Sequence, residues 1–177
     1  IDGTNPGQHY TCPPGTRPTT PSISACGQYI AFAYIRILPT STETGAIYSS
    51  QREQMFQHPS SVVMHLNIRT GVASALYGET EWISHVSISP VDPNLVMYCR
   101  EGPWLLVQRM WMVRADTLEQ WPLLQTRRLF QQCGHEYFTD SGRVVPQYGR
   151  RDAVTDALRR HATVVANPDG NHARYHW

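Results

Sequence analysis

Two histidines and two arginines stand at the ends of short apolar runs between residues 81 and 138: His85 in EWISHVSISP, Arg100 in LVMYCREGPW, Arg109 in QRMWMV and His135 in GHEYF. A neutral imidazole takes up or gives a proton near neutral pH. A guanidinium holds a carboxylate through two parallel hydrogen bonds and stabilises negative charge developing on it. Such groups suit proton transfer on an acidic substrate, but each has a plainer use. His135 can cap a strand and bond to its neighbour Glu136, and Arg109 can be a solvated strand-end charge. Arg100 can pair with Glu101, and His85 can satisfy a buried carbonyl. Trp104, after a Gly-Pro turn, offers a stacking face for a pyranose ring or fills a core.

Other chemistries lack their residues. All fifteen basic residues are arginine, so a lysine Schiff base or lysine general base is ruled out. No phosphate-cradling glycine loop, no G-x-S-x-G elbow and no carboxylate pair at glycosidase-like positions is present.

Short strands must position these side chains. ACGQYIAFAYIRI is aromatic and β-branched, and VVMHLNIRTGVASALY reads as two strands around a turn at Arg69-Thr70-Gly71. HVSISPVDPNLVMYC gives a strand, a Pro-Asp-Pro-Asn turn and a second strand, and QRMWMVRADTLEQWPLL adds a third and a fourth, completing one four-stranded unit. TDSGRVVPQYG and NPDGNHARYHW repeat the pattern of strand, acidic turn and strand, since reversal within a few residues favours Asp, Asn or Gly. His85 and His135 open units about 50 residues apart, at the upper end of propeller repeats. An all-β propeller of four-stranded blades is therefore expected, with a β-sandwich as the alternative. Only RRDAVTDALRRHA, near residues 150–162, carries helical spacing, through Ala153, Val154, Ala157 and Leu158, unless it is an inserted loop element. Residues 1–22, rich in Pro, Gly and Thr, read as a loop-rich segment leading into one propeller domain over 1–177.

Composition narrows the class. At 41% apolar and 16% charged, 177 residues can bury one ordinary core. A net charge of +1 without basic runs argues against nucleic acid, and no apolar run approaches a membrane span. Cys12, Cys26, Cys99 and Cys133 show neither C-x-x-C nor zinc spacing and read as buried free thiols, a Cys12–Cys26 bridge being the alternative. This fits a cytoplasmic protein and leaves periplasm or secretion open.

The ordered set of W-x-S-H, Pro90-x-Asp92, C-R-E-G-P, R-M-W and H-E-Y-F resembles the oligogalacturonate lyases over residues 60–145. In that family the corresponding run is W, G-H, P-x-D, C-H-E-G-P, R-M-W or R-I-W, and H-E-F-W. Ser84 stands here for the glycine and Arg100 for the first histidine of C-H-E-G-P. The resemblance implies a seven-bladed β-propeller that splits pectin fragments by β-elimination, with His135 as base and Arg109 as catalytic arginine. His85, Arg100 and Trp104 then fall along the groove for an acidic oligosaccharide. Manganese is implied as well. His161, before the Asn-Pro-Asp-Gly turn, lies near the place of one ligand, but the family's later Q-x-x-H-x-H cluster is missing. His172 and His176 read as ordinary strand or tail histidines. At about 50 residues per blade the chain supplies three to four blades, so a part of a longer propeller is expected, or one whose open blade edges associate with another copy. A non-catalytic propeller used for sugar binding or scaffolding is the alternative function.

Overall fold

The computed structural model describes residues 7–41, 50–102, 106–125, 131–151 and 158–176. Its strands fall into three antiparallel sheets that follow one another along the chain. The first contains β1 (Thr16–Pro18), β2 (Ser22–Ile23), β3 (Tyr29–Arg36), β4 (Ser61–Asn67) and β5 (Ala73–Glu79), with the short helix α1 (Gln51–Phe56) between β3 and β4. β1 and β2 both pair with β3, sharing one position along it, and the order continues β3-β4-β5. The second is the meander β6 (Ile83–Ile88), β7 (Leu95–Arg100), β8 (Met110–Arg114) and β9 (Gln120–Pro122). The third repeats it with β10 (Gln131–Phe138), β11 (Val144–Arg151), β12 (Leu158–Val165) and β13 (Arg174–His176). Three four-position sheets stacked face on face are three propeller blades, as the strand and turn pattern predicts.

The turns form where their residues demand. Asn67 Oδ1 accepts hydrogen bonds from the amides of Arg69 and Thr70, and Gly71 takes φ 71°, which closes the β4–β5 hairpin. Asp92 Oδ1 similarly accepts from the Asn94 amide between β6 and β7.

Two apolar seams hold the blades together. The first packs Ala31, Ala33, Val63 and Leu76 of the first blade against Ile83, Val86, Ile88, Val96, Tyr98 and Val113 of the second. The second packs Leu95, Met97, Met110, Met112 and Leu123 against Cys133 and Val144 of the third. β7 alternates between them, with Leu95 and Met97 in the second seam and Val96 and Tyr98 in the first. A strand covered on both faces needs an unbroken apolar run, and LVMYC supplies it, all five residues buried. Each of the larger side chains contributes about 1.5–3 kcal/mol by leaving water. β12 has one covered face: Ala162 and Val164 point inward while His161 and Thr163 are exposed.

That strand corrects the helical expectation near 150–162 over its last five residues. Residues 158–162 are extended and paired with β11, His161 opposite Gly149, and 152–157 lie outside the described residues. Sheet pairing overrides the helical spacing of a short Ala- and Arg-rich stretch. Among the described residues the helix that does form, α1, spans six residues. All four cysteines are free; Cys99 and Cys133 are buried as expected, whereas Cys12 is partly and Cys26 fully exposed.

Candidate active site

Two β-bulges build the site. On β6, Ile83 pairs with Arg100 and Val86 with Tyr98, so Ser84 and His85 together oppose Cys99. On β10, Gly134 pairs with Gln147 and Tyr137 with Val145, so His135 and Glu136 together oppose Pro146. Proline has no N–H to give the ladder and is tolerated at such a point. The extra residue on β6 lets Ile83 and Val86, three apart, both enter the first seam. On β10 the distortion is taken up by His135, at φ 51°. Ser84-His85 and His135-Glu136 thus occupy equivalent places on the first strands of consecutive blades.

A hydrogen bond joins the bulges. His85 Nδ1 lies 3.1 Å from Glu136 Oε1. The His85 side chain is 49% exposed and that of Glu136 only 2%. Behind them Arg109, 6% exposed, donates from Nη1 to Glu101 Oε2 at 2.8 Å and from Nη2 to Glu101 Oε1 at 3.3 Å. It also reaches Glu136 from Nε and Nη2, both at 3.4 Å. Four of its five N–H groups are therefore engaged by two carboxylates, leaving one on Nη1 without a partner among the described residues. Ser84 Oγ donates to Glu101 Oε1 and lies 3.4 Å from Cys99 Sγ. Gly102 leaves the room needed at this corner, since a Cβ there would come within 2.9 Å of Val107 Cγ1.

Burial and charge set the protonation states. Burial alone would push the Glu136 carboxyl up, but the His85 hydrogen bond and the Arg109 charge bring it down to about 2, so it is ionised and His85 Nδ1 must be the donor. For His85 the bond to Glu136 raises the pKa above the ordinary imidazole value; burial opposes this, the charges of Glu136 and Glu101 add to it, and Arg109 subtracts. Burial works against the Arg109 charge, yet Cys99, Glu136 and Glu101 around it raise its pKa overall. Burial pushes the Cys99 thiol up, keeping it protonated.

The other expected residues fall elsewhere. His135 is exposed, and its imidazole meets no partner among the described residues, because Glu136 is turned inward to His85 and Arg109. Arg100 points into the first seam: Nε donates to Glu79 Oε1 at 2.8 Å, Nη2 lies 2.6 Å from Glu79 Oε2, and the guanidinium sits 4.3 Å over the Trp111 ring. Its suggested partner Glu101, one residue on, faces the opposite way. Trp104 lies outside the described residues. His172 sits in a bend and His176 on β13, both exposed. Sequence reasoning does not single out Glu101 and Glu136 as site residues, since their partners lie across a bulge or a blade; the sequence shows only that they stand inside C-R-E-G-P and H-E-Y-F.

Metal-ligand chemistry converges at one place among the described residues, where atoms of His85, Cys99 and Glu101 lie within 4.8 Å of one another. This set does not fit manganese. The buried protonated thiol is a soft donor, and Glu101 is already held by Arg109 and Ser84. His161 belongs to no such group among the described residues.

Residues 33–162, most of the chain, match the family described as oligogalacturonate lyase. The chain belongs to the oligogalacturonate lyase family. It is 29% identical over 92 residues to an oligogalacturonate lyase of Dickeya dadantii, a stretch covering 51% of this chain and 24% of that protein. An oligogalacturonate lyase solved in complex with manganese superposes with a TM-score of 0.78 at 22% identity, covering 96% of this chain and 44% of the other. The β-propeller domain of the trilobed protease from Pyrococcus furiosus superposes at 0.58 with 11% identity, covering 93% and 44%, which agrees in fold. The chain thus spans less than half the length of its lyase relatives. The family's C-H-E-G-P histidine is Arg100 here, directed away from the bulges.

Proposed function

We propose that the protein is a lyase that cleaves short oligogalacturonides by β-elimination, with His135 as the base. The C5 proton of a 4-linked uronide is acidified by the adjacent carboxylate, so removing it calls for an accessible imidazole and a nearby cation. The single observation that carries this reading is the β10 bulge: it turns His135 to solvent while its neighbour Glu136 is held by Arg109. Arg109 contributes the charge of a fixed guanidinium and one remaining N–H for the uronate. Its two carboxylate partners hold it in place and also temper that charge. Manganese, which the resemblance implies, would require ligands beyond His161 and outside the described residues. A sugar-binding or scaffolding propeller is the second reading, favoured by the heavy engagement of Arg109 with internal carboxylates.

Incubation with di- and trigalacturonate, with and without added manganese, should generate the ultraviolet absorbance of a 4,5-unsaturated uronate. His135→Ala should lower the rate by about 10²–10⁴-fold, the usual worth of a general base, with the unfolding midpoint unchanged because the side chain is exposed. Saturable sugar binding by folded protein without any chromophore would establish the second reading instead.

A further inference from the structure

The elimination needs an acid as well as a base, because O4 leaves as an alkoxide unless it is protonated. This inference rests on the lyase reading and deepens it. Among the groups gathered at the bulges, Glu101, Glu136, Arg109 and Cys99 are all buried, and the first three are bound to one another. Arg100, at the position of the family's histidine, is committed to Glu79 in the other seam and is too weak an acid to give a proton. His85 differs from all of them. Its Nδ1 is tied to Glu136, its side chain is half exposed, and its Nε2 meets no partner among the described residues.

We propose that His85 is the general acid of the reaction, its Nδ1–H anchored on Glu136 and its Nε2–H delivered to O4 of the departing uronide. In the step, His135 takes the C5 proton, the C5–H electron pair becomes the C4=C5 bond, and the C4–O4 pair leaves on O4, which accepts the His85 proton. One histidine gains a proton and the other loses one, and water restores both. Base and acid belong to equivalent bulges of consecutive blades, and the base is joined by one peptide bond to the carboxylate that holds the acid. The groups facing His85 are Glu136 from β10, Cys99 and Glu101 from the end of β7, and Arg109 before β8. The two carboxylates outweigh the arginine, so His85 keeps its proton to higher pH than a free imidazole.

Two substrates of the protein separate the roles: a galacturonide with its ordinary glycosidic C4–O4 bond, and a 4-deoxy-4-fluoro galacturonide, whose fluoride leaves without protonation. His85→Gln should cost roughly 10²-fold on the first and less than tenfold on the second. The wild-type rate should fall at alkaline pH on the glycosidic substrate as His85 loses its proton, and should show no such limb on the fluoride. Equal losses on both substrates, or none, would overturn the acid role while leaving the lyase reading intact. Failure of the wild type to produce the chromophore from either substrate would sink the lyase reading and this inference with it. If His85→Gln does not fold, the wild-type profiles on the two substrates decide, since an alkaline limb shared by both refutes the proposal.

Discussion

The two seams flanking the second blade are each closed at the same end by an arginine and glutamate, and they are closed differently. In the first, Arg100 pairs with Glu79 under Tyr77 and lies over Trp111, with side-chain exposures of 18% and 10% for the charged pair. In the second, Arg109 sits between Glu101 and Glu136, all three at 6% or less, with His85 at the mouth. Strand alternation at the end of β7 accounts for the split: Arg100 turns to one face, Cys99 and Glu101 to the other. The lesson is that a charged pair beside aromatic packing makes a clamp. A buried carboxylate shared between an arginine and a half-exposed histidine leaves an ionisable group at the surface, which is what the proposed acid requires.

The difference should be largest in stability. Arg109→Met leaves two buried carboxylates without their cation, and urea unfolding should register a loss of roughly 3–5 kcal/mol. Next in size is the acid response. Glu136 is ionised in the fold down to about 2, against an ordinary value of 4.5. Its contribution is complete above the unfolded value and is lost as pH falls through the folded one, on the order of 3 kcal/mol in all. Unfolding free energies measured at pH 5 and pH 2.5 should therefore diverge, and Glu136→Gln should flatten that slope; an unchanged slope would mean that the ion cluster does not hold together in solution. Smallest is Arg100→Met, at about 1–2 kcal/mol, since its pair is closer to water. Equal costs at Arg100 and Arg109 would abolish the distinction between clamp and site.

Much of the architecture was legible in the sequence. The hairpin at Arg69-Thr70-Gly71, the turn through Asp92 and the four strands from β6 to β9 follow from local turn chemistry and apolar runs, which the chain obeys there. At residues 158–162 the helical expectation misled, because a helical spacing is a weak preference and pairing with the neighbouring strand β11 decides the outcome. At the site, His85, Arg109 and His135 stood out as residue types. The wiring did not, because Glu136 meets partners 51 and 27 positions away, and no local pattern encodes which carboxylate a bulge will turn inward. Arg100 and Glu101 looked like partners through adjacency alone, the one relation a strand forbids.

The β10 bulge also fixes where this chain can tolerate changes in length. Deleting one residue between Gly134 and Tyr137 would restore a regular ladder opposite Pro146 and leave both flanks on their present faces, because Gln147 and Val145 already share one face of β11. One position opposite Pro146 would then have to serve where the imidazole and the carboxylate now stand side by side. Loops such as that between β12 and β13 can absorb insertions over evolutionary time, whereas in this four-residue stretch a single lost codon would remove either the proposed base or its carboxylate neighbour while the rest of the ladder stays paired.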